Sequence, residues 1–133
     1  MEWYPLKNEV SSFVGERSAL LFAHAISSAT DCLICSTFFR KILIERQENP
    51  DDLALNAKEE RLVQLGRQIA KDPSGVSDQK FSELLEGYSD SQRVALVAFG
   101  AVMVATNIFN NVMGVDLDEY LMPFRGTNNG TES

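Results

Sequence analysis

The stretch Ser89-Asp90-Ser91-Gln92-Arg93-Val94-Ala95-Leu96-Val97-Ala98-Phe99-Gly100 opens the run that decides the fold, because no charged residue occurs from Val94 to Val115. Ser89 and Gln92 stand at the spacing of a capping box, in which each side chain satisfies one of the unpaired amides at a helix start. The spacing predicts one long helix to about Met113, with Gly114 as its left-handed terminator. Its length raises the question of a membrane span. Thr106, Asn107, Asn110, Asn111 and two glycines interrupt it, and only Val94 to Ala105 is uniformly apolar. The expectation is therefore a helix buried inside a protein assembly, with no membrane. Asn107, Asn110 and Asn111 are read as hydrogen-bonding the end of that buried helix, ahead of the alternative of touching a ligand or partner subunit.

Upstream, Ser74-Gly75-Val76-Ser77 reads as a turn into a short helix, Asp78 to Glu86, with Phe81, Leu84 and Leu85 inward and Gly87 at its stop. Before it, Asn56 caps a helix with Glu59 three residues on; Leu62, Leu65 and Ile69 repeat on one face, and Lys71-Asp72-Pro73 ends it. Glu48-Asn49-Pro50-Asp51-Asp52 is a polar loop. A first helix is expected from about Lys7 to Ala29, carrying Val10, Phe13, Val14, Leu20, Leu21 and Ile26 at helical spacing. An extended lead of about residues 1–6 precedes it, since Pro5 turns Tyr4 away from helical geometry. Asp116 to Tyr120 is expected to add a turn, and about residues 123–133 read as a flexible polar tail. Every short β-branched run lies inside a longer helical pattern. The fold class is thus all-α, a single domain of about five to six helices. So small a bundle covers a helix like Val94–Ala105 only in part, which predicts a homo-oligomer.

At 133 residues and 14.8 kDa the chain buries a core without needing disulfide staples. A net charge of −7 argues against nucleic acid, and Arg40-Lys41 is the only adjacent basic pair. The start, Met1 to Lys7, lacks the charged-then-apolar order of a signal peptide, so a cytoplasmic, thiol-reducing location is expected. No glycine-rich turn follows a strand, and no nucleotide or flavin cofactor is expected.

The only two cysteines stand in Thr30-Asp31-Cys32-Leu33-Ile34-Cys35-Ser36-Thr37-Phe38-Phe39. Thr30 or Asp31 is placed to cap a helix that runs through Ile42 and Ile44 to about Gln47, with Cys32 in its first turn. There the unpaired amides and the positive end of the helix dipole favour thiolate over thiol. Positions i and i+3 share a face, so the two sulfurs can close a disulfide without unwinding the backbone. In a reducing compartment such a pair is more often catalytic or metal-binding than structural. The plain alternative is two small apolar residues in a core helix. A zinc site wants four ligands, and Cys32, Cys35 and His24 offer three, so no metal is expected.

Val76-Ser77-Asp78, Leu84-Leu85-Glu86-Gly87-Tyr88-Ser89-Asp90 and Asn107-Ile108-Phe109-Asn110-Asn111-Val112-Met113-Gly114-Val115-Asp116 resemble the second half of carboxymuconolactone decarboxylase-like proteins. With the Cys-x-x-Cys helix upstream, the chain is most similar to their alkylhydroperoxidase AhpD-like branch, over roughly Leu20 to Tyr120. The resemblance implies an oligomeric helical bundle, trimer or hexamer. It also implies a peroxidase that reduces organic hydroperoxides through Cys32 and Cys35, serves antioxidant defence, and is restored by an external dithiol or thioredoxin-like reductant. The family pattern places a glutamate twelve residues before the first cysteine and a histidine four after the second, as a proton relay. Leu20 and Phe39 occupy those places here. His24, the only histidine, lies one turn beyond Leu20 and is the candidate replacement relay, with Glu16 as a distant partner. Phe38, Phe39 and Ile42 are the candidate walls of an apolar pocket. A thiol–disulfide exchange or redox-switch protein without peroxide turnover is the alternative, and decarboxylase chemistry comes last. Helix position favours Cys32 as the attacking thiol, the resemblance favours Cys35, and the order stays open at this point.

Overall fold

The computed structural model describes residues 4–115 and 119–124, and among them there is no strand. The helices are α1 (Tyr4–Val14), α2 (Glu16–Ala29), α3 (Leu33–Glu45), α4 (Ala57–Lys71), α5 (Asp78–Leu84) and α6 (Asp90–Met113), with 3-10 turns at Pro73–Gly75 and Glu119–Phe124. Capping chemistry sets most of these boundaries. Asn56 with Glu59 and Ser89 with Gln92 form full capping boxes at the starts of α4 and α6, and the Ser77 side chain accepts from the Lys80 amide at the start of α5. Gly114 closes α6 in the left-handed conformation, at φ 63°.

α2 lies at the centre, in contact with α1, α3, α4 and α6. Its apolar face gives the main core Leu20, Phe22, Ala23 and Ile26, and Phe22 meets Phe99 of α6 with ring centroids 5.9 Å apart. The helices approach closely where side chains are smallest. A Cβ on Gly66 would lie 3.2 Å from both the Phe22 carbonyl oxygen and Ile26 Cγ1, and one on Gly100 would lie 3.3 Å from Phe22 Cζ. Removing a ring as enclosed as Phe22 costs about 3–5 kcal/mol in typical cores.

The structure corrects three expectations about the elements. The first helix is two helices, because Gly15, at φ 95°, breaks the run between α1 and α2. The lead is not extended over residues 4–6: Tyr4 begins α1 and Pro5 occupies its first turn, where a missing N–H costs nothing. The cysteine helix begins at Leu33, one residue after Cys32. The expected turn from Asp116 falls partly on residues 116–118, which lie outside the described residues, and Glu119–Phe124 forms a 3-10 turn. Of the tail, residues 125–133 likewise lie outside them.

Within one chain α6 is only half covered. Leu96, Phe99, Met103 and Asn107 face the core, whereas Val94 is 69% exposed and Val112 77%, with Ile108, Phe109 and Met113 exposed beside them. Full burial of this helix is therefore not achieved by the bundle itself. By length and composition alone, α6 is apolar enough to cross a membrane.

Candidate functional site

The two cysteines occupy the junction between α2 and α3. The Thr30 hydroxyl donates to the Ile26 carbonyl at 2.9 Å, finishing α2 rather than starting α3. Asp31 takes a left-handed φ of 56°, which a short polar side chain tolerates, and reverses the chain. Cys32 is then itself the N-cap of α3: its Sγ accepts the Cys35 backbone N–H at 3.4 Å. Thus the expected caps, Thr30 and Asp31, belong to the preceding turn, and Cys35, not Cys32, lies in the first helical turn. The Cα atoms are 5.3 Å apart and the sulfurs are paired at disulfide-bonding distance. Cys32 is 1% exposed and Cys35 9%.

Three asparagines from the last turns of α6 hold this junction. Asn107 donates to the Thr30 hydroxyl oxygen at 2.7 Å and approaches Ser27 Oγ at 3.4 Å. Asn111 donates to the Thr30 carbonyl at 2.9 Å. Asn110 Nδ2 lies 3.1 Å from Cys35 Sγ and 3.9 Å from Cys32 Sγ. The sequence marked these residues as helix-end hydrogen bonders. Their partners, a turn some 80 positions earlier, carried no signal in local spacing.

His24 is set elsewhere on α2. It lines a groove of about 480 Å³ with Ser28, Asp51, Arg67, Leu55 and Val63, and neither cysteine lines that groove. Its Nε2 lies 3.4 Å from Ser28 Oγ. Burial pushes the ring down to about 4, Arg40 and Arg67 add to the effect, and Asp51 opposes it. The imidazole is neutral at pH 7 as a result. Arg40 is itself held by Asp51 at 2.8 Å and by the Phe124 carbonyl at 2.9 Å.

The remaining candidates also have definite places. Glu16 opens α2, at the end away from the cysteines, and is ion-paired with Lys7, which holds its carboxyl below the ordinary value. The helical rise separates it from His24 by about 12 Å along the axis. Leu20 and Phe39, at the two relay positions of the resembled family, are both buried in the main core. Phe38 and Ile42 pack against the same core, and Phe38 meets Phe39 edge-on at 5.2 Å. No group of three or more His, Cys, Asp or Glu side chains suited to a metal occurs among the described residues. Comparison with protein-family profiles, curated proteins and solved structures found no match.

Proposed function

We propose that the chain is a thiol-dependent, AhpD-like peroxidase that reduces organic hydroperoxides through Cys32 and Cys35. Its place would be in the antioxidant defence of the cytoplasm. The observation that carries the reading is the sulfur pair at the start of α3, with Cys35 the less enclosed of two buried cysteines and both sulfurs within reach of hydrogen-bond donors. A cysteine thiolate attacks the terminal peroxide oxygen, the O–O bond breaks, and the alkoxide takes a proton from water and leaves as the alcohol. The sulfenic acid condenses with the second cysteine, releasing water and forming the disulfide. An external dithiol then reduces that disulfide by exchange. No cofactor enters the cycle.

The test is steady turnover of cumene hydroperoxide with dithiothreitol as donor. Continued alcohol formation, lost in both Cys32→Ser and Cys35→Ser, is the expected result; a rate equal to that without protein would overturn the reading.

The second reading, a thiol–disulfide switch, is favoured by one observation: the relay positions are filled by buried Leu20 and Phe39, and His24 lines a separate groove. It predicts fast oxidation by disulfide reagents and no turnover of peroxide.

We also propose that copies of the chain associate through the exposed apolar face of α6, as trimer or hexamer by the family resemblance. Contiguous apolar surface around Phe109 and Val112 is the kind that marks an association site. Phe109→Asp with Val112→Glu is expected to yield monomers in sedimentation. Wild-type protein that sediments as a monomer, or that partitions into lipid vesicles instead, would remove this part.

A further inference from the structure

Each sulfur of the pair has its own donor. Cys32 Sγ accepts the backbone N–H of Cys35, while Cys35 Sγ faces the side-chain amide of Asn110 at 3.1 Å. A sulfur without hydrogen offers only lone pairs, so the N–H edge of that amide is the edge that faces it. The neighbouring asparagines are committed to Thr30, and Asn110 alone is turned to the sulfurs.

We infer that Asn110 is a catalytic residue of the sulfur pair, its side-chain amide holding the Cys35 thiolate that attacks the peroxide. The inference rests on the redox reading above. A donor to the charged form favours that form, and a neutral amide does so without titrating itself. The other polar side chains described around the pair are differently engaged. Ser27 and Thr30 on α2 and Asn107 and Asn111 on α6 do not titrate, Asp31 in the turn is exposed, and Arg40 further along α3 is held by Asp51 and Phe124. The geometry also orders the cysteines. Cys35, the less enclosed residue at 9% against 1% and the one with the shorter donor contact, attacks and becomes the sulfenic acid, the order the family resemblance also implies; Cys32 then attacks that sulfur and expels its oxygen as water.

The experiment uses the Cys32→Ser protein, in which Cys35 titrates alone, and follows thiolate absorbance against pH together with iodoacetamide alkylation at pH 7. Adding Asn110→Ala is expected to raise the midpoint by about one unit, a tenfold loss of thiolate, with alkylation slowed about tenfold. Asn110→Asp keeps the shape, sets a carboxylate against the sulfur, and raises the midpoint further. It carries the test if the alanine variant fails to fold. Midpoints and alkylation rates unchanged in both variants would overturn the inference, whatever the melting temperatures do. The two readings also fail separately. Shifted midpoints with no hydroperoxide reduction by the wild type would sink the peroxidase and leave the amide's role standing. Unshifted midpoints with full turnover would do the reverse.

Discussion

Ser27 and Ser28 are neighbours in the chain and belong to different chemical environments. Ser28 meets His24 in an open groove edged by Asp51 and Arg67, whereas Ser27 meets Asn107 beneath the cysteine turn. One helical step of about 100° separates the two sides. The groove side gathers ionisable groups. On the sulfur side, the donors that hold the junction are neutral amides, which keep their hydrogen bonds at any pH the fold survives. The difference teaches that the one histidine lines a groove to which neither cysteine contributes. On the proposed redox reading, stabilisation of the sulfur charge falls to fixed donors, and proton exchange falls to solvent.

The comparison breaks or sharpens through substitutions on each side. Cys35→Ser has the largest expected effect, complete loss of hydroperoxide reduction measured as alcohol formed, with the fold retained. His24→Ala comes next, and its effect is on stability. The folded value of about 4 lies below the ordinary 6.5, so the unfolded chain takes up a proton first as pH falls. The contribution is full above pH 6.5 and is lost progressively toward pH 4, by about 2–3 kcal/mol. Denaturant melts across that window should lose this slope in the variant. Hydroperoxide reduction should be unaffected, and a strong slowing would restore His24 as the relay.

On the sulfur side, Asn107→Ala removes the shortest bond of the clasp. It is expected to destabilise by about 1–3 kcal/mol, read from the denaturation midpoint, because it removes a buried side chain and strips a partly buried contact from Thr30. The smallest effect belongs to Arg67→Ala. Arg67 is exposed, so stability at pH 7 should change by less than about 0.5 kcal/mol. Loss of its charge should nevertheless move the His24 midpoint upward, detectable in the ring's NMR titration.

Much of the fold was legible where its determinants lie within a few residues. Ser89 with Gln92, Asn56 with Glu59, and Gly114 declare their helix ends because the bonding partners are three or four positions apart. Gly15 was harder to read. The apolar spacing of Val10, Phe13 and Leu20 continues across it, and only the backbone conformation reveals the break. Residue type points away from the true cap of α3 for a related reason. Thr30 is a good N-cap residue by type, but its hydroxyl is already bonded to the Ile26 carbonyl at the end of α2, which leaves the role to Cys32. The asparagine clasp was the least visible feature. Asn107, Asn110 and Asn111 lie far in sequence from the turn they hold, so only packing of α6 beside α2 and α3 brings them to it.

The most direct test of the central claim is a single-turnover count of free thiols after mixing the reduced protein with one equivalent of cumene hydroperoxide, followed by mass analysis. The account predicts rapid loss of both thiols, one equivalent of alcohol, and a protein lighter by two hydrogens. Thiols that persist in the presence of hydroperoxide, while diamide oxidises them at once, would contradict it.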